Sequence, residues 1–215
     1  MTSPVRPLRS RLLLPETLPF SDPKERRFFW NYRGAGCAPI VSDSFTRADS
    51  ATSLGTADTG QTWSAITGTW GIASNQAYNP GADTNAMALV DAGVSDCTVR
   101  LKMAARGSSS GMFLRATDAS NWIAFVNGSS TVMSLIKSVA GTVSTVVNIT
   151  TTVALTNDVY QAVLKGTTIT LFLNGAQIGT PQTVTEHATA TKFGIGLANH
   201  ASATNIRWDD FRVTA

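Results

Sequence analysis

Arg115, Asp118, Asn121, Trp122 and Asn127 fall within one stretch, Gly111–Asn127, GMFLRATDASNWIAFVN. An indole ring beside a guanidinium, a carboxylate and two amides is what a sugar site needs. The ring covers the apolar face of the sugar, and the planar polar groups take its hydroxyls. A second reading uses the same residues differently: Trp122 belongs to the core, and Arg115 pairs with Asp118 at the end of a hairpin. Other chemistry is thinly represented. His187 and His200 are the only histidines, in loop-like segments with no serine or cysteine nucleophile motif near them. No glycine-rich phosphate loop opens a helix. Cys37 and Cys97 lack CxxC spacing and a His-rich neighbourhood, so no zinc site is expected; a disulfide between them is the open alternative, although nothing else marks a disulfide-built domain.

The elements that hold these side chains are read from period-two alternation. In Gly111–Asn127, Met112, Leu114 and Ala116 alternate with Phe113, Arg115 and Thr117. After a polar turn at Asp118–Asn121, Trp122, Ala124 and Val126 alternate with Ile123, Phe125 and Asn127. Both faces carry large apolar groups, so this hairpin is expected in the interior of a sheet. The rest of the body reads the same way. Strands are expected at about 43–47, 69–73, 85–90, 96–105, 130–138, 142–149, 158–165, 167–174, 176–183, 192–198 and 205–213. Hairpin connections are expected at Asn127–Ser129, Lys165–Thr168 and the Asn-Gly pair of Leu173–Gly179. Trp63 and Trp70 are read as core anchors. Short strands with glycine turns and no sustained helical period imply an all-β, antiparallel two-sheet sandwich or jelly roll.

Composition agrees. Apolar residues make up 43% and charged residues only 14% of the chain, against roughly 25% charged in an average domain. The net charge of +3 is uneven. Residues 1–40 hold seven basic and three acidic groups, while the remainder holds ten basic and eleven acidic ones. The body is therefore not expected to bind nucleic acid. No apolar run is long enough to span a membrane, and Leu12–Leu14 is too short for a signal core, so the chain is expected to stay soluble in the cytoplasm in which it is made.

Residues 1–41 read as an arm. Pro4, Pro7, Pro15 and Pro19 keep its first half extended. Asp22 as N-cap, Pro23 at the first helical position and Glu25 two residues later in a capping box predict one short helix over about 23–32. Phe28, Phe29, Trp30 and Tyr32, flanked by Arg26, Arg27 and Arg33, cover more of that helix than one buried side needs. They either fold back on the body or insert into a partner chain, since aromatics and arginine are enriched at interface cores.

Four blocks together resemble a known family: DSFTRADSATSLGTADTGQTWSAITGTWGI, GMFLRATDASNWIAFV, ITLFLNGAQIG and WDDFRVTA. They are similar to the concanavalin A-like lectin/glucanase (laminin-G-like) jelly rolls and, more narrowly, to modules of bacteriophage minor tail proteins. The resemblance covers about residues 42–215. It implies that the first and last strands lie side by side, which would bring Asp43, Asp209 and Asp210 together as carboxylates for a calcium ion. It implies a non-enzymatic structural component of a virion, assembled in the bacterial cytoplasm. That component would dock on other virion proteins through residues 1–40 and form a symmetric homo-oligomer. The alternatives are a lectin gripping host cell-wall glycan, and a head decoration or fibre protein. The hydrolytic branch of the family uses paired carboxylates. The E-x-D-x-x-E strand motif is absent and Glu186 is the only glutamate of the body, so no enzyme activity is expected.

Overall fold

A computed structural model describes residues 38–81, 83–154, 156–198 and 205–215. The expected helix over 23–32, the aromatic arm, Cys37 and His200 lie outside these. The described residues form fifteen strands and no helix. In chain order they are β1 Val41–Asp43, β2 Ser64–Thr67, β3 Gly71–Ala73, β4 Gln76–Tyr78, β5 Met87–Asp91, β6 Cys97–Ala105, β7 Ser110–Asp118 and β8 Asn121–Ser129. After these come β9 Val132–Val139, β10 Thr142–Thr150, β11 Asp158–Lys165, β12 Thr168–Leu173, β13 Ala176–Thr183, β14 Lys192–Leu197 and β15 Arg207–Thr214. One sheet of eight strands runs β13-β12-β11-β6-β15-β4-β3, with β1 also on β15; one of seven runs β10-β9-β8-β7-β14-β5-β2. Every pairing is antiparallel. The fold is the two-sheet sandwich that the alternation predicts, and first and last strands pair, with Asp43 opposite Phe211.

The β7–β8 hairpin sits inside its sheet, between β14 and β9. Met112, Leu114, Ile123 and Phe125 belong to the main core, as do Leu101, Tyr160 and Trp208 of the other sheet. Trp208 packs against Trp70 with ring centres 5.1 Å apart and planes tilted by 58°, and donates from Nε1 to the Gly111 carbonyl at 3.1 Å. That bond joins β15 to β7 across the sandwich. Burying an indole is favourable only when its N–H finds an acceptor. Trp208→Phe should therefore cost about 0.5–1.5 kcal/mol, the net contribution of one buried hydrogen bond, since Gly111 keeps its ladder partners in β14 and β8. A shift of the urea midpoint with unchanged slope checks this, and an unmoved midpoint would contradict it.

Alternation fails at one place in the hairpin. Arg115 has a φ of +47°, and the β7–β8 register shifts between Leu114 and Asp118. Against β14 the bulge puts one extra residue into β7 between Phe113 and Ala116, and against β8 two by Asp118, so the facing is already reversed at Ala116. Ala116, expected beside Met112 and Leu114, joins Phe113, Trp122, Ala124 and Met87 in a second apolar cluster of the seven-stranded sheet.

Other boundaries move for similar reasons. The first strand ends at Asp43 instead of extending to Arg47, because Phe45 is left-handed at φ +51° and its N–H bonds back to Asp43 Oδ1 at 2.8 Å. Asn127–Ser129 is not a turn; β8 runs through it, and the chain reverses at Ser130–Thr131. The short strands β2 and β4 have no counterpart among the expected elements. The Asn-Gly turn is as expected, with Asn174 and Gly175 both at positive φ.

Candidate functional site

The structure does not gather the five hairpin residues on one surface. Arg115 has no exposed area. Its Nε donates to Ser95 O at 3.1 Å, Nη1 to Gly166 O at 2.6 Å and Nη2 to Asp96 Oδ1 at 3.0 Å. Asp96 Oδ1 also accepts the Gly166 N–H at 3.0 Å. The bulge turns this guanidinium into the seam between the sheets, where it ties β7 to the chain ahead of β6 and to the β11–β12 turn. It does not pair with Asp118, and it faces no solvent.

Asp118 and Asn121 build the hairpin tip. Asp118 Oδ1 accepts the Ser120 N–H at 2.7 Å and Asn121 Nδ2 at 3.0 Å, and these bonds hold its carboxyl below the usual range. Asn121 Oδ1 takes the Ala140 N–H at 2.9 Å. Trp122 is only 4% exposed. Its ring meets Phe113 edge-to-face at 5.2 Å, and its Nε1 donates to Ala119 O at 3.1 Å. The hollow beside it, about 90 Å³ and bordered by Thr67, Asn85 and Ser138, is well below the roughly 300–1,000 Å³ of ligand pockets. Asn127 is fully buried and accepts Ser110 Oγ at 2.9 Å, with its Nδ2 unpartnered.

The calcium trio is also divided. Asp43 is spent on protein donors: Oδ1 takes the Phe45 N–H and pairs with Arg47, and Oδ2 takes Trp63 Nε1 at 2.6 Å. Burial pushes its carboxyl upward, and these donors oppose the shift. Asp209 pairs with Lys102 at 3.1 Å. Asp210, left-handed at φ +46°, sits in the bulge that separates Asp209 from Arg212. Among the described residues no three His, Cys, Asp or Glu side chains group as metal ligands.

Asp43 and Asp210 nevertheless border the same opening, a polar cleft of about 300 Å³. Ser42, Asp58, Arg100 and Arg212 line it with them. Its floor is one rung of the eight-stranded sheet, with Ser42 of β1 opposite Arg212 of β15, and Arg212 opposite Arg100 of β6. Its wall is the loop that caps the free edge of β1. There Asp58 Oδ2 takes the Ser44 N–H at 2.8 Å, Thr59 Oγ1 the Ser42 N–H at 2.9 Å, and Gln61 Nε2 donates to Ile40 O at 2.7 Å. These contacts hold Asp58 at the cleft beside the two arginines. Sequence reading misses this wall and floor entirely. Asp58, Arg100 and Arg212 form no local motif, and the only trace is that CTVRLKM and FRVT place both arginines on the polar positions of alternating strands.

Glu186 forms an ion pair with Lys137 at 2.5 Å, which holds its carboxyl below the usual range. His187 Nε2 contacts Ser138 O at 2.8 Å. Cys97 is a free, buried thiol pushed up to about 12 by desolvation, far from the depressed values of reactive cysteines.

No family model and no curated protein matches the sequence. Solved structures do match the fold. The carbohydrate-binding module CBM66 from Bacillus subtilis aligns with a TM-score of 0.58 at 14% identity, over 71% of this chain and 95% of that one. The fold is a concanavalin A-like jelly roll. A β-glucanase from Bacillus licheniformis aligns with a TM-score of 0.55 at 13% identity, over 85% of this chain and all 100% of that one. Domain 4 of AbnA, an extracellular arabinanase from Geobacillus stearothermophilus solved in complex with arabinotriose, aligns with a TM-score of 0.52 at 14% identity, over 83% and 93% of the two chains. At such identities the likeness is one of fold.

Proposed function

We propose that the jelly roll is a non-catalytic carbohydrate-binding module and that its glycan lies in the cleft over Ser42, Arg212 and Arg100. The observation that carries this reading is the cleft itself. It has the volume of a ligand site, and its walls offer guanidinium donors and carboxylate acceptors, the groups that take sugar hydroxyls. The solved relatives support it, since the fold is one that carries sugar-binding modules as well as glucanases. The absence of catalysis is argued from Glu186. A glycosidase acid needs a carboxyl that keeps its proton near neutral pH, and the Lys137 ion pair does the opposite. Asp43, whose carboxyl burial does raise, is enclosed by Phe45, Arg47 and Trp63.

On a glycan array the full chain should retain a subset of oligosaccharides and release no reducing ends from them. Hydrolysis that disappears in Glu186→Gln would overturn the non-catalytic part, and an array without any retained glycan would overturn the whole reading.

Placement in a bacteriophage virion is a narrower proposal that rests on the sequence resemblance and on the aromatic, arginine-rich residues 26–33. In it the jelly roll is displayed on a particle, in several copies, and residues 1–40 dock on other virion proteins. Deleting residues 1–37 spares the bond from Ile40 N to Val213 O. The shortened chain should fold and stay soluble yet fail to enter particles, and normal incorporation would refute the docking role.

A further inference from the structure

Arg100 and Arg212 stand directly opposite each other on adjacent antiparallel strands. Like charges in that relation destabilise a sheet. The sheet neutralises a neighbouring cation on the same two strands, where Lys102 faces Asp209 and pairs with it at 3.1 Å. The side chains of Arg100 and Arg212 make no hydrogen bond or ion pair with any described residue. Each guanidinium, with five N–H donors, is thus left without a protein acceptor at the cleft. Asp58 and Asp210 line the same cleft without neutralising them, and Asp58 keeps Oδ1 free while Oδ2 is bound to Ser44 N.

We propose that the Arg100–Arg212 pair receives the carboxylate of an acidic sugar, a uronate unit of the bound glycan. The inference rests on the carbohydrate-binding reading and adds the class of sugar. Guanidinium and carboxylate match as planar forks, so two parallel N–H···O bonds form from one arginine while the second donates to the carboxylate's outer lone pairs. The neighbouring carboxylates select within anions. Asp58 and Asp210 accept hydrogen bonds and repel negative charge, so a group of high charge density such as phosphate is disfavoured. A singly charged carboxylate flanked by hydroxyls gives the arginines their acceptor and the aspartates their donors.

The test is titration calorimetry on the full chain with four probes: a tri-galacturonate, its methyl ester, a neutral tri-galactoside and inorganic phosphate. The galacturonate should bind at least about tenfold more tightly than its ester, the loss expected for a charge-assisted fork. Arg100→Gln with Arg212→Gln should abolish that advantage. The doubly substituted chain should melt no lower than the parent, because the pair repels, so lost binding is not lost folding. Arg100→Lys with Arg212→Lys keeps both charges without the fork and should recover only part of the affinity. Equal binding of acid and ester, or galacturonate affinity unchanged in the glutamine variant, would overturn the proposal. Phosphate binding as tight as galacturonate would also overturn it, in favour of a general anion site. Binding of the neutral sugar alone would refute the uronate and leave the carbohydrate-binding reading intact, whereas binding of no sugar would remove both.

Discussion

Arg115→Met should lower the stability of the jelly roll by about 2–4 kcal/mol and leave any glycan affinity unchanged. The cost arises from lost hydrogen bonds. Ser95 O and Gly166 O lose the N–H groups that now reach them, and a hydrogen bond from a charged group contributes about 1.5–3 kcal/mol; Ser95 is half-buried and Gly166 exposed, so water replaces part of this. The ion pair itself matters less, because Asp96 is 56% exposed and water can replace the guanidinium. Methionine refills much of the volume, which isolates the polar loss from a cavity term. Arg115→Lys keeps a charge but has one nitrogen where three now donate, so it should recover less than half. Chemical denaturation reports the stability, and the glycan titration reports the site. If Arg115 were instead a sugar ligand, affinity would fall and stability would hold, the reverse of the expected pattern.

Gly111→Ala should prevent folding at 37 °C. A Cβ at this position would lie 2.2 Å from the Phe125 carbonyl oxygen and 2.8 Å from Val126 Cα. Both are backbone of the paired strand β8, so neither can rotate aside. Relief means prising β7 from β8 in the middle of the seven-stranded sheet, and Gly111 also presents the carbonyl that receives Trp208 Nε1. Overpacking of a core costs about 1–3 kcal/mol where side chains can adjust; here the backbone must move, and the loss should exceed that range. Gly93→Ala is the control. Gly93 is left-handed, at φ +69°, but has open space around it, so only the conformational cost of about 1 kcal/mol applies. Circular dichroism melts of the two variants should differ by more than about ten degrees, and similar melts would show that the β7–β8 pairing tolerates the clash.

Much of the architecture was legible in the chain. Strands β5 through β15 have five or more residues each, long enough for alternation to declare itself, and Asn174–Gly175 carries its turn chemistry locally. The interior position of the β7–β8 hairpin followed from apolar residues on both of its faces. The strands that escaped reading, β2 and β4, have four and three residues, too few for a period. Phe45 escaped because nothing about phenylalanine announces a left-handed backbone.

The site was the part that composition and spacing could not reach. Alternation counts residues along one strand, and it continues smoothly through LRAT although a bulge at Arg115 reverses the facing there. Packing makes that choice: Arg115 gains three acceptors in the seam, and Ala116 gains an apolar neighbourhood. Asp209 and Asp210 are adjacent in sequence, yet one serves Lys102 and the other borders the cleft. Arg100 and Arg212 meet only because β15 enters between β6 and β1 in one register. The core residues that flank them, Val99, Leu101, Phe211 and Val213, set that register by burying together. Which residues are apolar is a local property of the chain, and it determines that a sandwich forms. Which polar residues then face one another depends on how the whole core closes.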